Sequence, residues 1–169
     1  SIVCRPVTPH CETCPLQPDC TASRNGTAEE LPVKSPKRPA PHHDVAVGIV
    51  HRNGKILIAK RRQDQMLGGM WELPGGKCKR GESPDQAVIR ELAEETGLVV
   101  TVTKADPPVR HAYSHFRVTL HPFHCHPLRG DAAAHSASDI RWVAPSELDT
   151  FAFPRGTRKV LARLAAPRR

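Results

Sequence analysis

Three glutamates, Glu91, Glu94 and Glu95, fall at i, i+3 and i+4, the spacing that puts side chains on one face of an α-helix. Like charges held that close repel one another, so the cluster destabilises an isolated helix unless cations neutralise it. Oxygen donors on a rigid element suit Mg²⁺ or Mn²⁺, ions that also bridge phosphates. An arbitrary acidic triad is more commonly a solvated helix face. Three neighbours argue against that here. Arg90 sits beside the cluster and can orient it, and Glu82 lies just ahead of the helix. The run Trp71-Glu72-Leu73-Pro74-Gly75-Gly76 brings a strand and a glycine turn to the same place. In such a turn the Gly75 carbonyl can ligate a metal, because no side chain blocks close approach.

The elements that position these groups are legible. Ser83 is a good N-cap, Pro84 suits the first helical position and Gln86 completes a capping box. Gly97 stops the helix near Thr96. Ile89, Leu92 and Ala93, with Val88 at the edge, are expected to face a core. Residues 44–62 alternate apolar runs around Asn53-Gly54, which predicts a hairpin. A short amphipathic helix is expected over 156–165. Trp71 is expected either in the core or stacked on a base.

The full spacing is Gly76-x5-Glu82-x7-Arg90-Glu91-Leu92-x-Glu94-Glu95-x-Gly97-Leu98. It matches the Nudix box, and the chain resembles Nudix hydrolases of the MutT type from residue 44 to about 166. The resemblance implies an α/β fold, an α/β/α sandwich around a mixed sheet. It implies attack of water on a nucleoside triphosphate, releasing a monophosphate and pyrophosphate, with 8-oxo-dGTP or a related oxidised purine triphosphate as substrate. By that likeness Glu91, Glu94 and Glu95, with the Gly75 carbonyl, hold Mg²⁺ or Mn²⁺. Glu91, Glu94 and Arg90 form the catalytic set, one glutamate acting as base, and Gly76 and Glu82 support it. Arg61 and Lys77 belong to basic clusters placed to hold phosphates. Phe153 and Thr157 lie in a segment resembling the F-P-x-A-N of MutT-type enzymes. Phe153 is expected to wall the base pocket. Thr157 stands where that family has asparagine, and one hydroxyl offers less than an amide with separate donor and acceptor.

Cys4, Cys11, Cys14 and Cys20 show the spacing C-x6-C-x2-C-x5-C. Four thiolates so close suit a 4Fe–4S cluster or zinc, with a disulfide scaffold as the alternative. The segment resembles the iron–sulfur loop of MutY-type adenine DNA glycosylases, and residues 31–47 resemble the connector to their C-terminal domain. Lys34, Lys37 and Arg38 of that connector either touch DNA backbone or stay in water. Ser114-His115 resembles the loop with which that domain reads 8-oxoguanine, with an exposed strand entry as the alternative. Tyr113 or Phe116 can pack against bases. The helix-hairpin-helix and catalytic carboxylates of those glycosylases are not in this sequence, so the chain alone is not expected to excise adenine. Their Nudix-like domains usually carry a degraded box, whereas this box is intact, which favours a hydrolase over a lesion reader in DNA.

The chain has 169 residues, of which 38% are hydrophobic, enough for one core rather than two. A division follows: a Cys-rich segment at 1–22, a Pro/Lys-rich linker at 23–43 and the hydrolase domain at 44–169. The net charge is +8, and from Asp44 onward 20 Lys and Arg face 13 Asp and Glu. A basic body around an acidic box predicts a polyanionic partner, nucleotide or DNA. No apolar run approaches the ~18 residues of a membrane span, and a cytoplasmic location is expected.

Overall fold

The computed structural model describes residues 3–33 and 40–165. The chain divides into two compact units, Ser1–Pro39 and Ala40–Arg169. In the first, three 3-10 turns (Cys11–Thr13, Gln17–Asp19 and Ala28–Glu30) accompany a single-turn helix, α1 (Thr21–Arg24). None of these elements buries a residue. Residues 23–33, expected as linker, thus include helical turns of this unit, while Lys34, Lys37 and Arg38 lie outside the described residues.

The second unit is built on one mixed sheet. Its strands are β1 (His42–Arg52), β2 (Lys55–Lys60), β3 (Trp71–Glu72), β4 (Gly75–Lys77), β5 (Val99–Ala105), β6 (Val109–Ala112), β7 (Arg117–Arg129) and β8 (Asp139–Val143). The main order is β3-β2-β1-β7-β5, with β8 also on β2, β4 on β1 and β6 on β7. Among the described residues only β1 and β7 pair in parallel, in register from His42↔Arg117 to Val50↔Cys125. Residues 46–50 of β1 are all buried, because both faces of the strand are covered. Val47 and Ile49 join a core that includes Phe153 and the α3 (Arg155–Ala165) residues Val160 and Leu161. Ala46 and Val50 join a second core with Val88 and Leu92 of α2 (Pro84–Thr96). A helix on each face of the sheet is the expected α/β/α sandwich. The β1–β2 hairpin turns at Asn53 and Gly54, with φ of 50° and 73°. Positive φ at both positions is what a two-residue turn matching strand twist needs.

Helix α2 starts and stops where its residues dictate. The Gln86 side-chain oxygen accepts the Ser83 N–H at 3.2 Å. Gly97, at φ 73°, donates its N–H to Ala93 at 3.0 Å. The buried face differs from expectation. Ala87, Val88, Leu92 and Thr96 are buried, whereas Ile89 is 40% exposed and Ala93 is exposed. The reason lies on β1: Gly48 has no side chain, and a Cβ there would come within 2.8 Å of Leu92 Cδ1. The helix therefore seats on the strand at Leu92, which brings Val88 and Thr96 into line and turns Ile89 to solvent. Trp71 is core, 7% exposed, with Phe151 edge-on at 5.2 Å. Among the described residues no helix is long and apolar enough to cross a membrane.

Leu92→Ala is expected to destabilise the protein by about 3 kcal/mol, within the usual range for a fully buried leucine. Ile89→Ala should stay within about 0.5 kcal/mol, as exposed positions do. Urea unfolding midpoints of the two variants measure the difference, and equal costs would contradict this seating of the helix.

Candidate active site

The acidic face of α2 meets β4 edge-on, and two glycines permit the approach. A Cβ on Gly76 would collide with the Glu91 carboxylate, and one on Gly75 with the Ala46 carbonyl. Gly75 also has φ 146°, outside the ordinary range of L-residues. Its N–H donates to Glu95 Oε2 at 2.9 Å, so strand backbone and helix carboxylate touch directly.

Arg90 holds the rest together. Its Nε and Nη2 donate to the two oxygens of Glu82 at 2.6 and 2.7 Å, a bidentate fork. Nη1 lies between Glu91 Oε1 at 2.7 Å and Glu94 Oε2 at 3.2 Å. Nη2 also reaches the Lys77 carbonyl at 3.3 Å, which ties β4 to the same hub. Glu82 accepts the Lys79 N–H at 2.8 Å as well. The Arg90 hydrogen bonds, then the Lys79 N–H, hold the Glu82 carboxyl down at about 2. The same bonds to Glu82 raise Arg90 further into its charged range.

Glu95 is set apart from its neighbours. Burial pushes its carboxyl up to about 7, and the nearby Glu72 and Glu91 charges add to the shift, against the Gly75 N–H and Ser136 hydrogen bonds. Without a cation the cluster is thus relieved in two ways: a guanidinium arm between Glu91 and Glu94, and a Glu95 that takes up a proton near neutrality. Among the described residues, no three His, Cys, Asp or Glu side chains converge on a single metal position. The donor set of three carboxylates and the Gly75 carbonyl is all hard oxygen, the kind that suits Mg²⁺ or Mn²⁺.

Glu95, Gly75 and Gly76 open onto a cavity of about 500 Å³, also lined by Arg61, Lys77, Glu72 and Thr157. Tyr113 and Phe116 form an aromatic wall, their rings stacked at 4.7 Å. Arg61 pairs with Glu72 and donates Nε–H to the Met66 carbonyl at 2.7 Å, so its charge is already engaged at the cavity wall. Glu72 is a cavity residue that the sequence reading passed over. Its position between the core residues Trp71 and Leu73 was a usable signal, whereas nothing local marked Ser136, which also lines the cavity.

Of the residues singled out from sequence, Glu82, Arg90, Glu91, Glu94, Glu95, Gly75 and Gly76 come together, and Arg61, Lys77 and Thr157 line the adjoining cavity. Three do not join them. Phe153 is 5% exposed and packs in the core beneath, leaving Pro154 and Thr157 of that segment at the cavity. Ser114 and His115 sit exposed at the tip of the β6–β7 turn, which the Tyr113 N–H closes on the Phe116 carbonyl at 2.8 Å. In the N-terminal unit Cys4, Cys11, Cys14 and Cys20 all line one cavity of about 140 Å³.

The NUDIX domain family matches residues 45–163, and the chain belongs to it. It is a Nudix hydrolase, and its relatives name two kinds of nucleotide. The CTP pyrophosphohydrolase of Escherichia coli is 36% identical over 104 residues, covering 62% of this chain and 77% of that protein. The 8-oxo-dGTP diphosphatase of Escherichia coli is 30% identical over 121 residues, covering 71% of this chain and 94% of that protein. Among solved structures, the Escherichia coli ORF135 protein superposes with a TM-score of 0.65 at 30% identity, covering 77% of this chain and 96% of that one.

Glu95 gives a pH dependence of defined sign. Its folded value of about 7 lies above the ordinary 4.5, so between those limits the folded state holds a proton that the unfolded state has released. Stability without divalent cation should therefore fall as pH rises from about 5 to about 7, by on the order of 2 kcal/mol. Thermal unfolding in EDTA across that range, with Glu95→Gln as reference, isolates the effect: the variant should lack this part of the slope.

Proposed function

We propose that the chain is a Mg²⁺-dependent pyrophosphohydrolase that converts an oxidised purine nucleoside triphosphate, 8-oxo-dGTP or a close relative, to the monophosphate and pyrophosphate. The observation that carries this reading is the junction of the α2 carboxylates with an aromatic-walled cavity large enough for a nucleoside. Glu91, Glu94, Glu95 and the Gly75 carbonyl would hold the ions. A divalent ion held there would polarise the phosphoryl group and lower the pKa of the attacking water. Displaced from Glu91 and Glu94, the Arg90 arm stays anchored through its fork to Glu82 and keeps the carboxylates oriented. Tyr113 and Phe116 would stack on the base, Thr157 would face its edge, and Lys77 would meet the phosphates. Arg61 would act on the base side through Glu72, since that pairing keeps it from the phosphates. The activity suits sanitation of a cytoplasmic nucleotide pool.

A second reading has its own support. Ser114 and His115 are exposed and do not line the cavity, which leaves them open to a duplex bound at the surface. The four cysteines line a single cavity, and holding an iron–sulfur cluster or zinc there would require them to draw together, since no three of them converge on one metal position. Both features fit a MutY-type lesion-reading module that binds 8-oxoguanine in DNA. A parent polypeptide can carry both activities.

Pyrophosphate release from a panel of nucleoside triphosphates with Mg²⁺ tests the first reading. Turnover should be highest on 8-oxo-dGTP, and Glu94→Gln should lower kcat at least ~100-fold with little change in unfolding midpoint. Intact triphosphates alongside salt-sensitive binding of lesion-bearing duplex would favour the second. For the cysteines, anaerobically purified protein should absorb near 400 nm and contain about four irons if a cubane cluster assembles. Colourless protein with one zinc would assign the other metal.

A further inference from the structure

We propose that a basic groove beside the carboxylate cluster seats the terminal phosphates of the substrate, and that Lys79 and Arg80 thereby favour triphosphates over diphosphates. The inference rests on the reading of the site as a nucleotide hydrolase and adds the part that measures the phosphate chain. The groove encloses about 540 Å³. Lys77 and His43 line both it and the nucleoside cavity, so the two spaces meet at those residues. Glu95 lines the cavity and Glu82 the groove, on either side of this junction. Arg90 reaches the Lys77 carbonyl at 3.3 Å, and Lys79 Nζ lies 3.8 Å from Glu94 Oε1. A nucleotide with its base against Tyr113 and its scissile linkage over the carboxylates has the groove ahead of its remaining phosphates.

Charge balance points the same way. The groove has two acids of its own, and both are engaged. Asp44 accepts from His121 Nε2 at 2.9 Å, and Glu82 is held by the Arg90 fork and the Lys79 N–H. Its cations are not matched. Lys77 and Arg80 are exposed and have no anionic partner among the described residues, and Lys79 has only the long, exposed contact to Glu94. A surface made only for solubility intersperses both signs. Here three basic residues flanking Cys78, Lys77, Lys79 and Arg80, line a concavity whose acids are already hydrogen-bonded, and a polyphosphate supplies the missing counter-charge. A diphosphate, with one phosphate fewer beyond the carboxylates, enters the groove less far and gains less from Lys79 and Arg80.

The test uses the full chain and a Lys79→Ala/Arg80→Ala double variant. Inorganic tripolyphosphate, titrated without divalent cation, should shift the amide resonances of residues 78–80 in the wild type and bind about tenfold more weakly to the variant, as expected for loss of two exposed charge contacts. With Mg²⁺, the ratio of kcat/KM for a triphosphate over the matching diphosphate should fall about tenfold in the variant. Unmoved resonances at 78–80 in the wild type overturn the groove, as does an unchanged ratio. So does a groove that responds to a single-stranded oligonucleotide but not to tripolyphosphate. If the groove binds tripolyphosphate but no nucleotide is hydrolysed, the hydrolase reading fails and the phosphate site stands. If nucleotides are hydrolysed and the groove is silent, only this inference fails.

Discussion

The insertion of Arg90 among Glu82, Glu91 and Glu94 is the contact on which the site depends. Three carboxylates on one helical face raise the free energy of the helix wherever water is partly excluded. The fold compensates with a guanidinium whose fork is fixed on Glu82 while its other arm lies between Glu91 and Glu94. These contacts differ in strength. The Glu82 half is about 15% exposed and bidentate, so it persists as an anchor. Of the contacts of the other arm, the one to Glu91 is as short as the fork at 2.7 Å, whereas the one to Glu94 is exposed and longer at 3.2 Å, so Glu94 is the weakest-held carboxylate of the cluster.

The same economy of motion governs the strand side. Gly75 and Gly76 carry the backbone of β4 against the carboxylates, and β4 is paired to β1 from Val45↔Lys77 to Val47↔Gly75. Strand β1 in turn sets the seat of α2 through Gly48. One strand therefore fixes the height of the helix, the position of the glycine turn and the wall of the cavity. This is why Glu95 belongs at once to the ion cluster and to the cavity lining: it faces the place where helix, strand and pocket meet.

Local signals in the sequence reached far into this arrangement. The bounds of α2 follow from Ser83, Pro84 and Gly97, and the first hairpin from Asn53-Gly54, because caps and tight turns are decided by residues next to one another. What escaped was set at long range. Which side of α2 is buried depends on a glycine of β1 that only the fold brings opposite Leu92, so Ile89 looked like core and is not. Phe153 was expected at the base and lies beneath it, since the entry to α3 turns Thr157 rather than the ring toward the cavity. The β6–β7 turn places Tyr113 and Phe116 inward and their neighbours Ser114 and His115 at the tip, an assignment that needs the hairpin register.

The N-terminal unit poses a different physical problem. No described residue from 3 to 33 is buried, so this segment does not order itself by removing apolar surface from water. Small units below ~40 residues usually rely on disulfides, metals or association for that reason. Its four cysteines line one shared cavity. Hydrophobic burial holds the second unit with or without a ligand. The first has no such core among its described residues, so its conformational entropy is offset mainly by its short turns and their hydrogen bonds.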